Sequence, residues 1–194
     1  MPNYIGTGLP DVAAAHYIDW VPINKIVCGG GSSAVFSGIN SDFDEYKFEI
    51  NVHPGTDNVI LPWQGNAVGA EGFNETITST AVRTYHQEDG SGGGLDYRTG
   101  EDQAQGTSGE YMADGQGGDA DQNVASVLTL YQPWSTTFVK HFQVRTSVMM
   151  SSDGIKDELH AGYVNTTSAI DQVKIYFSSG NIDAGTITMY GLSK

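Results

Sequence analysis

The chain has 194 residues and a formal charge of −14, and glycine makes up 25 of its residues, about twice the usual share. This length favours a single domain. The negative charge excludes a basic nucleic-acid-binding face and attraction to an anionic membrane surface. No stretch approaches the roughly 18 apolar residues of a membrane-spanning helix, so no membrane insertion is predicted. The opening residues, MPNYIGTGLPDVAAA, do not resemble a secretory signal.

Short apolar runs separated by glycine, serine, threonine, asparagine and aspartate are typical of an all-β protein. In residues 45–52, Tyr46, Phe48, Ile50 and Val52 alternate with polar residues, which predicts a strand with one apolar face. Further strands are predicted at 25–28, 34–38, 58–64, 76–85, 126–132, 142–148, 173–177 and 186–190. A single helical turn is predicted at 12–16. Roughly eight to ten short strands predict a two-sheet antiparallel β-sandwich of jelly-roll type.

Residues 1–22 contain three prolines and are predicted to form an extended N-terminal arm, followed by one β-sandwich domain over 23–194. The arm carries Tyr4, Tyr17 and Trp20. Two interpretations remain open for it. The arm either lies on its own domain or docks on a neighbouring subunit.

Residues 86–123 hold ten glycines and nine carboxylates against one arginine, Arg98, which gives this segment a charge of −8. Glycine and aspartate are depleted in strands. We therefore predict one long surface loop, with a short hairpin around residues 110–113. A loop of this length inside a compact domain is usually functional or disordered.

No catalytic residue and no cofactor are predicted. The chain has no Gly-x-Ser-x-Gly motif, and Gly29-Gly30-Gly31 lacks the Gly-Lys-Ser/Thr ending of a phosphate-binding loop. The single cysteine, Cys28, is interpreted as a structural thiol. The five histidines show no metal-binding spacing and are interpreted as ordinary surface or partly buried residues.

The acidic segment leaves two weaker hypotheses. Asp114, Asp119 and Asp121 are candidate ligands for calcium, which binds six to eight oxygen atoms. Asp96, Glu101 and Glu110 are candidate acids for glycoside hydrolysis, which requires two carboxyl groups at a fixed separation.

Aromatic side chains near loops and strand ends are candidate contacts for a ligand or partner protein. The edge of the core is an equally good interpretation, because tryptophan and tyrosine combine an apolar body with a polar tip. Outside the arm these candidates are Trp63, Tyr97, Tyr111 and Trp134.

Two segments resemble a known group of proteins. The first is SAVFSGI at 33–39 with DFDEYKF at 42–48, and the second is IDQVKIYF at 170–177 with SGNIDAGTITMYGL at 179–192. The sequence AVRTY at 81–85 lies between them. Together they resemble small virion structural proteins of tailed bacteriophages, especially marine ones. The resemblance implies a β-sandwich that decorates the head or builds tail and fibre parts.

On this basis we expect a non-enzymatic virion structural protein that is made in the bacterial host cytoplasm and assembles onto the particle surface. Its partners would be other virion proteins and further copies of itself, and the resemblance implies trimers. Two alternatives remain open. One is a lectin-like module that binds host surface glycans. The other is a carbohydrate-active enzyme on a jelly-roll scaffold.

Overall fold

A computed structural model describes residues 19–192, which form thirteen β-strands that all pair antiparallel, without a helix in that range. The strands are β1 (Trp20–Cys28), β2 (Ser33–Ser37), β3 (Glu45–Pro54), β4 (Val59–Ala67), β5 (Ile77–Gln87), β6 (Gly93–Tyr97), β7 (Ala104–Gly106), β8 (Glu110–Gln116), β9 (Val124–Tyr131), β10 (Lys140–Met150), β11 (Gly154–Val164), β12 (Ile170–Tyr176) and β13 (Ile182–Leu192). The prediction of an all-β fold is confirmed. Within the described range no helix is long and apolar enough to cross a lipid bilayer.

The thirteen strands form one continuous antiparallel sheet, so the predicted division into two separate sheets is not confirmed. Two sections of hydrogen-bonded neighbours can be followed within this sheet. The nine-strand section has the order β1-β13-β3-β9-β10-β11-β5, with both β6 and β7 paired to β5. The four-strand section has the order β2-β12-β4-β8. The two sections join where Met150 of β10 pairs with Gln116 of β8, and an isolated bridge links Gly31 to Ile182. Strand β10 is otherwise paired along its length with β9 and β11.

The apolar core lies between the two sections. Phe36 of β2 packs edge-on against Phe48 of β3, with ring centroids 5.4 Å apart. Trp63 of β4 packs in the same way against Phe142 of β10 at 5.0 Å. The predicted alternation explains this core, because every second residue of β3 and of β10 is buried. The opposite side of the nine-strand section remains exposed.

The prediction of one long surface loop at 86–123 is not what the structure shows. The segment holds β6, β7 and β8, and Met112 and Ala113 of β8 have no exposed surface. A strand does lie at 110–113, but it pairs with β4 rather than forming a local hairpin. The reason is that two carboxylates of the segment, Glu101 and Glu110, are buried and hydrogen-bonded within the protein instead of being solvated. Glu101, for example, is 3% exposed and accepts a hydrogen bond from Arg98.

The predicted arm ends earlier than residue 22, because β1 begins at Trp20 and pairs with the last strand, β13. Tyr4, Tyr17 and the predicted helical turn at 12–16 lie outside the described residues. Strand β1 contributes little to the core, and Val27 is 75% exposed. Within residues 19–192, no strand pairs with the outer edge of β1.

Candidate functional sites

A group of buried polar side chains lies where β8, β11 and the turn between β6 and β7 meet. It contains Glu110 of β8, Glu158 and His160 of β11, and Glu101 of the turn, and none of them is more than 3% exposed. We call these four residues the carboxylate–histidine cluster. Sequence reasoning assigned Glu101 and Glu110 to a surface loop and His160 to an ordinary position, so it missed the cluster as a unit.

Strand β11 contributes two residues to the cluster because its burial pattern is inverted, with polar side chains facing the interior and apolar side chains facing solvent. Its polar residues Lys156, Glu158 and His160 are buried, whereas the apolar Ile155 and Leu159 are 48% and 45% exposed. The three polar residues lie two positions apart, so they share one face of the strand. Polar residues at every second position are the sequence signal for this cluster. The signal is visible only if the buried face of a strand is allowed to be polar.

The cluster presents several polar atoms that have no hydrogen-bond partner. One ligand atom each from Glu101, Glu158 and His160 lies within 4.8 Å of the others. Glu110 Oε1 lies 3.6 Å from His160 Nδ1. The buried atoms without a hydrogen bond include Glu101 Oε2, Glu110 Oε1, Glu158 Oε1 and both ring nitrogens of His160. Such orphaned buried atoms are uncommon in proteins.

The second oxygen of each carboxylate is held by hydrogen bonds, which fixes the direction of the unpartnered one. The held oxygens and their donors are Glu101 Oε1 with Arg98 Nε at 2.6 Å, Glu110 Oε2 with Ser79 Oγ at 2.9 Å and Gln103 Nε2 at 3.0 Å, and Glu158 Oε2 with the Asp114 amide at 3.2 Å. The three carboxylates are therefore oriented by their surroundings rather than free to rotate.

Two cations lie at the rim of the cluster. Lys156 Nζ donates to the Asp114 carbonyl at 2.5 Å and lies 3.8 Å from Glu158 Oε1. Arg98 contacts both Asp96 and Asp114, at 3.4 Å and 3.7 Å. These contacts account for the predicted acids Asp96 and Asp114, which are engaged in ion pairs.

Burial dominates the electrostatics of Glu158. Burial is the largest cause of a raised pKa, and the nearby Glu101 carboxylate adds to it, while Lys156 and His160 lower the pKa. Together these effects raise the pKa of this carboxyl from 4.5 to about 7. The shift shows that the ionised form is poorly stabilised by the protein groups around it.

The acids singled out from the sequence do not assemble as expected. Asp119 and Asp121 are exposed in the turn between β8 and β9, away from Asp114 in the ion-pair network. Within 19–192, the only group of three acidic, histidine or cysteine side chains with ligand atoms this close is Glu101, Glu158 and His160. Glu101 and Glu110 are 3% and 0% exposed, so a sugar chain cannot reach them in this conformation.

The predicted aromatic contacts occupy different environments. Trp63 has no exposed surface and belongs to the core, where it packs on Phe142. Trp134 donates its indole N–H to the Phe43 carbonyl at 2.9 Å, and Lys47 lies over the ring of Trp20 at 4.6 Å. Tyr111 is half-buried on β8. Tyr97 is 53% exposed on β6, and its hydroxyl donates to Asp102.

The exposed side of the nine-strand section, which we call the outer face, carries rows of side chains that cross several strands. In one row, Val127, Arg145, Leu159, Val82 and Tyr97 are directly paired from β9 to β6. Directly paired residues point to the same side of a sheet, so these side chains lie next to one another.

Apolar residues are concentrated on the outer face. Val127, Leu159 and Tyr97 are 38%, 45% and 53% exposed, and Leu95 and Ile155 in neighbouring rows are 72% and 48% exposed. A shallow groove of about 450 Å³ runs between these rows over β9, β10, β11 and β5. Contiguous exposed apolar residues of this kind mark interaction sites more often than isolated ones do.

A polar corner adjoins the groove. His141 and Tyr163 are paired across β10 and β11, with ring centroids 6.0 Å apart. The Tyr131 hydroxyl donates to Gln143 Oε1 at 2.9 Å. Aromatic rings next to amide groups provide both stacking surface and hydrogen bonds for a ligand.

Comparison with known proteins identifies no relative of this chain. No family model matches it, and neither a curated protein nor a solved structure does. Its function must therefore be argued from the geometry of its own residues.

Proposed function

We propose that the chain is a non-enzymatic structural protein of a tailed bacteriophage particle and that it works through protein–protein contacts on the outer face. The observation that carries the proposal is an apolar row in which Val127, Leu159 and Tyr97 are exposed and Val82 is half-buried, together with the exposed neighbour Leu95. The sequence resemblance at 33–48 and 170–192 supports a bacteriophage particle as the place of assembly. The outer face is the surface that would contact other proteins there.

The fold proposed for this role is a two-sheet antiparallel sandwich of jelly-roll type. The nine-strand and four-strand sections would be its two sheets, since they share one residue pair between β10 and β8 and enclose the aromatic contacts of the core. Packing of two sheets through their apolar faces is the usual arrangement of such sandwiches. Its consequence is that one broad sheet face stays available for a partner.

The apolar side chains and the few unpaired charges of the outer face favour a folded protein as its binding partner. In the row from Val127 to Tyr97 the only charged side chain is Arg145, and its charge is paired with Asp157 at 3.0 Å. A surface with apolar residues at its centre and few free charges is typical of the core of a protein interface. We propose that a neighbouring virion protein covers it and that the chain assembles on the particle as a homo-oligomer, a trimer as the resemblance implies.

The test is binding to purified particles of the virus whose genome encodes the chain. We expect the wild-type protein to co-sediment with particles that lack it. The double substitution Val82→Lys and Leu159→Lys is expected to weaken binding at least about tenfold, because it places two charges at the centre of the interface. The matched control is Val68→Lys, since Val68 is 57% exposed in the turn after β4. Absence of co-sedimentation of the wild type, or equal binding by both variants, would contradict the proposal.

The polar corner favours a second candidate function, a lectin-like module that binds host surface glycans. Here the His141–Tyr163 pair and Gln143 would contact the sugar. A glycan array tests this candidate. Binding that is lost in Tyr163→Ala but retained in the Val82→Lys, Leu159→Lys variant would support the lectin over the structural protein.

A further inference from the structure

We propose that Glu101, Glu158 and His160 bind one divalent transition-metal cation, such as Zn²⁺ or Mn²⁺, inside the carboxylate–histidine cluster. Their ligand atoms lie within 4.8 Å of one another, which is close enough for one ion to contact all three. Glu110 lies next to the histidine, with its Oε1 3.6 Å from His160 Nδ1, but it is not one of the three residues whose ligand atoms converge. This inference does not depend on the role of the outer face.

The unpartnered atoms are an observation independent of the clustering of acids. Glu101 Oε2, Glu158 Oε1 and both nitrogens of His160 are buried and have no hydrogen bond. A histidine that is 2% exposed normally has at least one of its ring nitrogens paired. A bound cation accepts the lone pairs of all three residues at once and so removes the cost of burying them unpaired.

Acidic side chains outnumber basic ones around the cluster, which favours the binding of a cation. The carboxylates of Asp96, Glu101, Glu110, Asp114 and Glu158 face the cations of Arg83, Arg98 and Lys156. Five carboxylates therefore face three cationic side chains. A metal cation bound among them would offset this excess of acidic groups and would favour the ionised form of Glu158.

The donor set selects the kind of metal. Calcium and magnesium prefer ligand sets made of oxygen alone. A site with one imidazole and two or three carboxylate oxygens suits Zn²⁺ or Mn²⁺ better. The second oxygens of Glu101 and Glu110 are held by Arg98 and by Ser79, and such outer contacts orient metal ligands in known sites.

The position of the ligands indicates what the metal does. Glu101 belongs to the turn between β6 and β7, whereas Glu158 and His160 belong to β11. One ion therefore links the segment around Arg98–Glu110 to a central strand of the nine-strand section. Its role would be structural, because none of the three ligands is more than 3% exposed.

The experiment measures metal binding by the full chain after treatment with a chelator and its removal. Zn²⁺, Mn²⁺ and Ca²⁺ are titrated separately by calorimetry, and X-ray absorption on the metal-loaded protein identifies the ligands. We expect one equivalent of Zn²⁺ or Mn²⁺ with nitrogen and oxygen ligation. We expect His160→Gln and Glu158→Gln each to weaken this binding at least about tenfold.

Matched controls are Asp157→Asn and His141→Ala, which change a half-buried carboxylate on β11 that pairs with Arg145 and an exposed histidine on β10. Both are expected to bind metal as the wild type does. The proposal is overturned if the wild type binds neither Zn²⁺ nor Mn²⁺ stoichiometrically, if it binds only Ca²⁺, or if the spectrum lacks a histidine ligand. The last readout does not depend on whether the variants fold.

Discussion

His160 of β11 and Glu110 of β8 face each other inside the molecule, with 3.6 Å between Nδ1 and Oε1 and no exposed surface on either side chain. The two strands belong to different sections of the sheet, which are joined by the Met150–Gln116 pair between β10 and β8. The interior is therefore divided. An apolar core fills the space around Phe48 and Trp63, and a polar cluster occupies the β8–β11 side.

The first prediction concerns the apolar core. Trp63→Ala is expected to lower the free energy of unfolding by about 3–5 kcal/mol, because it removes a fully buried ring and leaves a cavity against Phe142. The matched control is Phe138→Ala, which removes a ring that is 65% exposed and should change stability by less than about 0.5 kcal/mol. Urea denaturation followed by circular dichroism measures both. Similar losses in the two variants would contradict the packing described for Trp63.

The second prediction concerns Glu158 in the metal-free protein. In the presence of a chelator at pH 8, Glu158→Gln is expected to cost less than about 1 kcal/mol, or to stabilise the protein, because it replaces a carboxylate whose charge is penalised by burial. Gln retains an oxygen that can accept the Asp114 amide hydrogen bond. Urea denaturation at constant pH provides the measurement. A loss above about 3 kcal/mol would show that the ionised carboxylate is well compensated without metal.

The third prediction concerns the inverted strand. Leu159→Thr should change the free energy of unfolding by less than about 0.5 kcal/mol, since its side chain is 45% exposed on the outer face. Ala81→Thr, in contrast, adds a polar group at a position that is 1% exposed and should cost more than about 1 kcal/mol. Thermal unfolding monitored by calorimetry compares them. The reverse order would mean that β11 and β5 present their other faces to the interior.

The fourth prediction tests the close approach of β13 to β3. Gly185 has φ of +111°, and a Cβ built there would lie 2.1 Å from the Asn51 carbonyl oxygen. Gly185→Ala is therefore expected to cost at least about 2 kcal/mol from backbone strain and steric clash. Gly100→Ala serves as the control, because a Cβ at Gly100 meets no atom within 4 Å. Equal melting temperatures for the two variants would contradict the register of β13.

The fifth prediction follows from the proposed metal site. Removing the ion with a chelator should speed tryptic cleavage after Arg98 several-fold, because the turn that holds Glu101 is then no longer tied to β11. Cleavage after Lys25, in β1 and away from the cluster, should be unchanged. Mass spectrometry of the fragments over time gives both rates. An unchanged rate after Arg98 would show that the ion, if bound, does not hold this turn.

Residues that follow ordinary alternation could be located from the sequence. Strands β3 and β10 carry their apolar residues on one face, and the prediction at 45–52 and 142–148 is confirmed for both. Strand β11 was missed because its buried residues are Lys156, Glu158 and His160. Hydrophobic periodicity detects a strand only when the interior it faces is apolar.

The acidic segment was misread for a related reason. Its glycines and carboxylates are typical of a solvated loop, but Glu101 and Glu110 are buried through pairing with Arg98, Ser79 and Gln103. These partners come from different parts of the chain, and composition alone does not indicate such long-range pairing. The sequence likewise does not decide between a ligand contact and a core position for Trp63, because its partner Phe142 lies far away in the sequence.

The pairing of β1 with β13 joins the two ends of the described chain, with Trp20 opposite Leu192. Strands β9, β10 and β11, by contrast, are consecutive and pair with their immediate neighbours in sequence. Bringing together residues that are distant in sequence costs more chain entropy than forming a hairpin between neighbouring strands, and it is therefore slower. We therefore expect folding to begin in the β9–β11 meander and to finish with the docking of β1. During synthesis on the ribosome, β1 therefore stays without its partner until β13 has been made.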